Sequence, residues 1–225
     1  MVLDGPNPLP RTDNGKIPTS PEPDSGSYVP PTFRTTTPEP NGVSKRKILC
    51  GIYSYHKNAH RIQGISETWG WRCDGFLPVS TVTIDDPAIQ GYASVNVPHY
   101  GPENYKNMWQ KTRRILTYMY DNYFDDYEYF YLAGDDTHLI VENLRRYLYT
   151  VEQTHDIVTE PLYMGMPYTY HTLYKSGGAG YVLNRVALKR LVLQAFPKCH
   201  AKTQVSAEDR FVGNCLKSMQ IDPLH

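Results

Sequence analysis

"YLAGDDTHLIVENLRRYL", residues 131–148, decides how this chain is read. A run of bulky residues stops at Gly134-Asp135-Asp136, and Val141, Leu144 and Leu148 then recur at helical spacing. "YEYFYLA" (127–133) is a compact aromatic run suited to a buried strand, with the acidic pair at its carboxyl end. The carboxylates then lie just before or within the first turn of a helix. In open α/β sheets ligands collect beyond the carboxyl ends of the strands. Two carboxylates there can hold Mg²⁺ or Mn²⁺, hard cations that take oxygen ligands and are commonly completed by substrate phosphates. The competing reading is capping, in which Asp136 or Thr137 satisfies helix N–H groups and carries no chemistry.

Working outward, order begins at "KRKILCGIYSY" (45–55). Ile48–Ile52 reads as a first strand, and 54–58 as the polar loop at its end. "HKNAHRIQGISETWGWRC" (56–73) predicts a helix with Ile62, Ile65 and Trp69 inward, and "GFLPVSTV" (75–82) a second strand. "GPENYKNMWQKTRRILTYMYDNYF" (101–124) opens on Pro102 and carries Met108, Trp109, Ile115, Leu116 and Met119 at helical spacing. Strands alternating with long helices predict an α/β domain with parallel strands.

Downstream, "SGGAG" (176–180) places Ser176, Gly177, Gly178, Ala179 and Gly180 directly before an apolar run. Glycine permits close backbone approach, so a sugar or phosphate can lie against main chain here, or the segment is a tight turn serving the fold. It lacks the lysine and hydroxyl pair of a P-loop. Asn184 suits the cap of a helix bearing Leu188, Leu191, Val192 and Ala195. In "QVSAEDRFVGNCLKSM" (204–219), Ser206 and Asp209 fit a capping box, and Val212, Cys215, Leu216 and Met219 form an inward stripe. Glu208 and Asp209 are favoured in that first turn by the helix dipole. A carboxylate so held also has the fixed position a general base needs.

Bulk composition narrows the classes. Lys+Arg and Asp+Glu both number 23 in 225 residues, so no net charge attracts nucleic acid or an anionic membrane. The first 44 residues hold 10 of the 18 prolines with repeated "PEP", a composition that buries too little apolar surface to fold. Residues 1–44 are expected to be a disordered stem or linker, and 45–225 one domain. No stretch approaches the roughly 20 apolar residues that span a bilayer. Cys50, Cys73, Cys199 and Cys215 permit two disulfides in a secretory lumen, with three pairings open, and show no zinc spacing. Trp69 and Trp109 are expected in the core, His138 on the surface, and Lys111 and Arg113 either solvated or on the phosphate side of a site.

The blocks "ETWGWRC" (67–73), "MWQKT" (108–112), "GDDTHLIVENLRRYL" (134–148), "YMGMPY" (163–168), "SGGAGYVLNRVALKRLV" (176–192) and "AEDRFVGNCL" (207–216) together resemble the core 1 β1,3-galactosyltransferases. These belong to the fringe-related β1,3-glycosyltransferase family, and the likeness runs from about Ile48 to Ile221. It implies the GT-A nucleotide-sugar glycosyltransferase fold, a Rossmann-like, mostly parallel sheet flanked by helices. It implies inverting transfer of a hexose from a UDP-sugar donor to the 3-hydroxyl of an acceptor sugar on a glycoprotein or glycan, with Mn²⁺ as cofactor. By position, Asp136 matches the carboxylate that binds Mn²⁺ on the donor diphosphate, with Asp135 its neighbour, and Asp209 matches the catalytic base, with Glu208 the alternative. Residues 176–180 and Lys111 match the donor and acceptor pocket. The resemblance favours Cys50–Cys73 and Cys199–Cys215 as the disulfides. It also implies a Golgi type II membrane protein whose anchor lies outside this chain, and admits a homodimer.

Two departures qualify that expectation. Gly134 stands where the family usually has a third carboxylate, and a downstream histidine ligand is expected beyond the segment at hand, His225 coming too early to supply it. The alternatives are a non-catalytic relative acting as a chaperone or interaction protein, and a fringe-like β1,3-N-acetylglucosaminyltransferase.

Overall fold

The computed structural model describes residues 42–84 and 93–224. Most of the expected stem, and His225, therefore lie outside the described residues. Ser44 is already docked: its N–H donates to the Arg145 carbonyl (3.0 Å), and its hydroxyl bonds Glu152 (2.5 Å).

Strands β1 (Ile48–Tyr53), β2 (Gly75–Ser80), β3 (Val95–Asn96), β4 (Tyr129–Gly134), β5 (Tyr163–Gly165) and β8 (Tyr181–Asn184) form one sheet in the order β3-β2-β1-β4-β8-β5. The first four are mutually parallel, and β8 runs antiparallel to both β4 and β5. β5 therefore runs with the first four, so the expected mostly parallel sheet holds for five of the six strands and β8 alone departs from it. β6 (Pro167–Tyr170) and β7 (Thr172–Lys175) make a separate hairpin.

The central strands are apolar throughout because helices cover both of their faces. Along β4, Tyr129, Tyr131 and Ala133 join the core under α1 (Ala59–Thr68) and α3 (Val141–Glu152). Phe130 and Leu132 point the other way, into the core under α2 (Met108–Tyr123), α4 (Arg185–Arg190) and α5 (Glu208–Lys217). Ile62 and Ile65 of α1, and Trp109, Ile115, Leu116 and Met119 of α2, are buried as their spacing predicts. Trp69 and Trp109 are both core residues. The helix expected from Pro102 starts six residues later, after a 3₁₀ turn at Tyr105–Asn107.

Asn184 caps α4, its side-chain oxygen accepting from the Ala187 N–H at 3.0 Å. Both disulfides form, Cys50–Cys73 beneath α1 and Cys199–Cys215 beside α5. Crosslinks closing loops of this size contribute about 3 kcal/mol each by loop-entropy arguments.

β1 lies between β2 and β4, which are reached by chain leaving it in opposite directions. That makes the β1/β4 carboxyl ends the switch point, where an open α/β sheet leaves a crevice. Tyr53 and Gly134 are paired there, so Ser54 and Asp135 are the first residues beyond the sheet.

Candidate active site

Both capping readings fail. α3 begins at Val141, five residues after Asp136, and its N-cap Ile140 makes no side-chain cap bond. The acidic pair is instead in a turn closed by the Thr137 N–H donating to the Gly134 carbonyl (3.3 Å). The expected Ser206–Asp209 capping box is likewise absent, since α5 starts after Ala207 with no side-chain cap. Two of the side chains that local sequence assigns to a helix end, Thr137 and Asp209, instead meet partners from distant chain at Gly178 and Gly177.

Asp135 is fully engaged. Its Oδ2 accepts from the Ser54 hydroxyl (2.6 Å) and the Asn58 amide (3.1 Å), and its Oδ1 pairs with the Arg61 guanidinium (2.9 Å). The polar loop after β1 is thus clamped to the end of β4. Asp136 is exposed and makes no hydrogen bond or ion pair among the described residues. The Thr137 hydroxyl donates to the Gly178 carbonyl (3.1 Å), tying the acidic turn to the glycine-rich block.

That block meets the second acidic pair. The Gly177 N–H donates to Asp209 Oδ2 at 2.8 Å, and the Arg210 N–H to Oδ1 at 2.7 Å. A Cβ on Gly177 would lie 2.4 Å from Glu208 Oε1, so the position is glycine because the carboxyls leave no room. Gly180 is glycine for a further reason: its φ of +73° is unfavourable for a side chain, and a Cβ would strike the Tyr131 hydroxyl at 2.2 Å. Glu208 is 5% exposed. The Tyr181 hydroxyl donates to its Oε2 (3.1 Å) and that of Tyr53 to its Oε1 (3.3 Å). Burial first, and then the charge of Asp209, push its carboxyl up to about 8 against the pull of the two phenols. At neutral pH Glu208 is therefore mostly protonated.

Tyr53 joins the two pairs. A Cβ on Gly134 would lie 3.3 Å from its ring and 3.0 Å from Asp136 Oδ1, while its hydroxyl reaches Glu208. Burial raises its phenol far above the ordinary value, helped by the fields of Glu208, Asp209 and Asp136. The Asp136 turn and the Asp209 turn thus face one phenol across the carboxyl end of the sheet. The sequence reading ends the first strand at Ile52 and gives Tyr53 no role, whereas β1 runs on to Tyr53. Its position at the end of that strand, just before the polar loop, is the signal that marks it.

Lys111 is not a solvated cation. It is buried, its Nζ donating to Glu103 Oε1 at 2.7 Å and reaching the Ser54 carbonyl at 3.5 Å. Although burial opposes ionisation of Glu103, bonds from His99 and Lys111 hold that carboxyl down at about 2. Lys111 therefore supports the Ser54 loop from beneath. Arg113 is also structural, donating to the Phe196 and Ala201 carbonyls. His138 is exposed, as expected, with its ring edge-on to Trp69 at 6.5 Å.

The chain is 35% identical over 196 residues to glycoprotein-N-acetylgalactosamine 3-beta-galactosyltransferase 1 of Xenopus laevis, across 82% of this chain and 50% of that protein. It is a relative of the core 1 β1,3-galactosyltransferases. The chain spans about half the length of that relative. Chondroitin sulfate synthase 3 of mouse is 27% identical over 120 residues, covering 48% of this chain and 13% of the synthase. The human protein of the same name is 28% identical over an equal length. No family model matches the chain. The similarity to the Xenopus protein extends well beyond the acidic turns, because 196 residues exceed the whole span from β1 to α5.

Proposed function

We propose that this chain is the nucleotide-sugar-binding part of an inverting β1,3-glycosyltransferase of the GT-A type, transferring galactose from UDP-galactose to the 3-hydroxyl of O-linked N-acetylgalactosamine. The observation that carries the reading is the disposition of the two acidic turns around Tyr53. An exposed carboxylate at the switch point faces a second one that is fixed by the glycine-rich backbone.

One residue fits a divalent cation shared with the donor: Asp136 is free to ligate, whereas Asp135 beside it is engaged on both oxygens. No cluster of three His, Cys, Asp or Glu side chains occurs among the described residues, so donor oxygens would complete the shell. Asp136, with Asp135 adjacent, would hold Mn²⁺ together with donor phosphate oxygens, as such ions commonly bind. Bound there, Mn²⁺ would supply positive charge against the charge developing on the departing diphosphate.

The protein's own groups supply the rest. Asp209 takes the proton from the acceptor's 3-hydroxyl as that oxygen bonds to the anomeric carbon, and the carbon–phosphate oxygen bond breaks with its electron pair leaving on UDP. The Gly177 amide fixes the base, so its orientation is established before the acceptor arrives. Glu208 is a poor base at neutral pH, because its carboxyl already carries a proton. It holds Tyr53 and Tyr181 in place behind the site.

Transfer to methyl α-N-acetylgalactosaminide in the presence of Mn²⁺, comparing UDP-galactose with UDP-N-acetylglucosamine, tests activity and donor together. Galactose transfer is expected, and its absence from the disulfide-bonded full-length protein with either donor overturns the reading. The non-catalytic alternative rests on Gly134, where a family carboxylate is missing. Metal-dependent UDP binding by calorimetry contradicts it. Two disulfides suit a secretory lumen, and we place the protein there, in the Golgi. No helix among the described residues is long and apolar enough to cross a membrane.

A further inference from the structure

β6 leaves all four of its residues exposed and, among the described residues, pairs with β7 alone. Strand alternation puts Tyr168 and Tyr170 on one face, each still 52% exposed. The face is nevertheless built. Tyr174, directly across from Tyr168, is buried with its ring 5.6 Å from that of Tyr168. A Cβ on Gly213 would lie 2.5 Å from the Tyr174 Cβ, so the hairpin rests on α5 with no side chain between them. The Thr172 hydroxyl bonds the Asn214 side-chain oxygen at 2.8 Å, and the Arg210 guanidinium lies 5.3 Å from the Tyr170 ring centroid.

Gly213 and Asn214 follow Asp209 and Arg210 by one helical turn, so the hairpin lies along the face of α5 that begins at Asp209. Its other end is tied to the same residue. The Ser176 N–H donates to the Met166 carbonyl (2.8 Å), and the next amide, Gly177, bonds Asp209. Burial, and then the charge of Asp209, raise the Tyr174 phenol, which places that ring in the field of the proposed base.

We propose that Tyr168 and Tyr170, with Arg210 at their rim, form the acceptor platform on which a neutral acceptor pyranose lays its C–H face. This rests on the transferase reading above and adds where the acceptor lies. A pyranose ring is apolar on its faces and hydroxylated at its edge, the complement of an exposed tyrosine ring flanked by a guanidinium donor. Continuity with Asp209 selects a sugar awaiting deprotonation over the donor nucleotide, which belongs at the β1/β4 crevice. A peptide adding to the free edge of β6 as a further strand would use backbone groups and be indifferent to the rings.

The test uses methyl α-N-acetylgalactosaminide, which has no aromatic aglycone, titrated into the protein with saturation-transfer NMR, beside calorimetry with UDP and Mn²⁺. Saturation of the sugar's ring protons is expected in the parent. Replacing both residues (Tyr168→Ala with Tyr170→Ala) should weaken glycoside binding about tenfold, as losing roughly 1.4 kcal/mol of stacking would. Tyr170→Phe should stay within about twofold, since the ring is kept. UDP affinity and the thermal melt should be unchanged in all variants. Parent-like glycoside binding in the double variant overturns the platform, and so does a parent that binds UDP but not the glycoside. Ring-dependent glycoside binding without any UDP binding keeps the platform and sinks the transferase reading instead.

Discussion

Two of the chain's pairs of adjacent carboxylates, Asp135-Asp136 and Glu208-Asp209, meet around Tyr53, and they are treated in opposite ways. At the end of β4, Asp135 is met by a guanidinium, a hydroxyl and an amide, and its neighbour Asp136 is left open. At the start of α5, Glu208 is sealed among two phenols with no cation in its bonds, while Asp209 is held by backbone amides. The first arrangement leaves one anionic ligand facing the crevice. The second protonates one acid and leaves its neighbour poised. Under the proposed function a like pair of side chains would serve a cation in one setting and supply a base in the other, decided by which partners surround them.

The sharpest way to break this contrast is Asp209→Asn. Transfer should fall by roughly 10² to 10⁴, the usual contribution of a positioned base, with UDP·Mn²⁺ affinity and the thermal melt close to the parent. Parent-level transfer would move the base elsewhere. Asp136→Asn should act on the other pair alone. Mn²⁺-dependent UDP affinity and turnover should fall together by about 10-fold or more, as a charged oxygen ligand is lost, and UDP affinity measured in chelator should not change. An equal loss with and without Mn²⁺ would mean that Asp136 touches the donor directly.

A smaller effect, on stability, separates the pairs by pH. Glu208 is raised from its ordinary 4.5 to about 8, so between those values the folded state binds more protons than the unfolded chain, and stability falls as pH rises. The fall is at most about 1.4 kcal/mol per pH unit and ends above the folded value. Glu208→Gln should flatten that slope, and urea titrations from pH 5 to pH 8 measure it. An unchanged slope would show that Glu208 is ionised in the fold. The least effect is expected from Arg61→Gln, which removes the half-exposed cation from Asp135. About 1 kcal/mol or less should be lost in the same titrations, because exposed ion pairs contribute little and Ser54 and Asn58 still hold the carboxylate. A much larger loss would make the Asp135 cluster a buried charge network and erase the contrast.

Much of the scaffold was legible locally. Aromatic and β-branched runs marked β1, β2 and β4, and 3.6-residue spacing marked the buried faces of α1, α2 and α5, because burial on a sheet or helix imposes its period on the sequence. Asn184 as a cap could be read because its partner is three residues away. Ser206 and Asp209 fit an equally local rule, yet Asp209 is drawn to Gly177, 32 residues upstream. The same reason hid Tyr53, whose hydroxyl partner lies 155 residues along the chain, and misplaced Lys111, which a helical pattern alone leaves on the surface. β8 was unreadable in direction, since an apolar run carries no mark of which way it enters the sheet.

The sequence by itself determined three central strands, the five helices and the faces they bury, and that acidic pairs stand at two of their ends. Only the tertiary structure decided which carboxylate of each pair is open, which is fixed and which is protonated. Periodicity is a property of neighbours along the chain. The state of a carboxyl depends on its solvent and on the charges and donors within a few ångströms, and here those arrive from the far ends of β1, β7, β8 and α1.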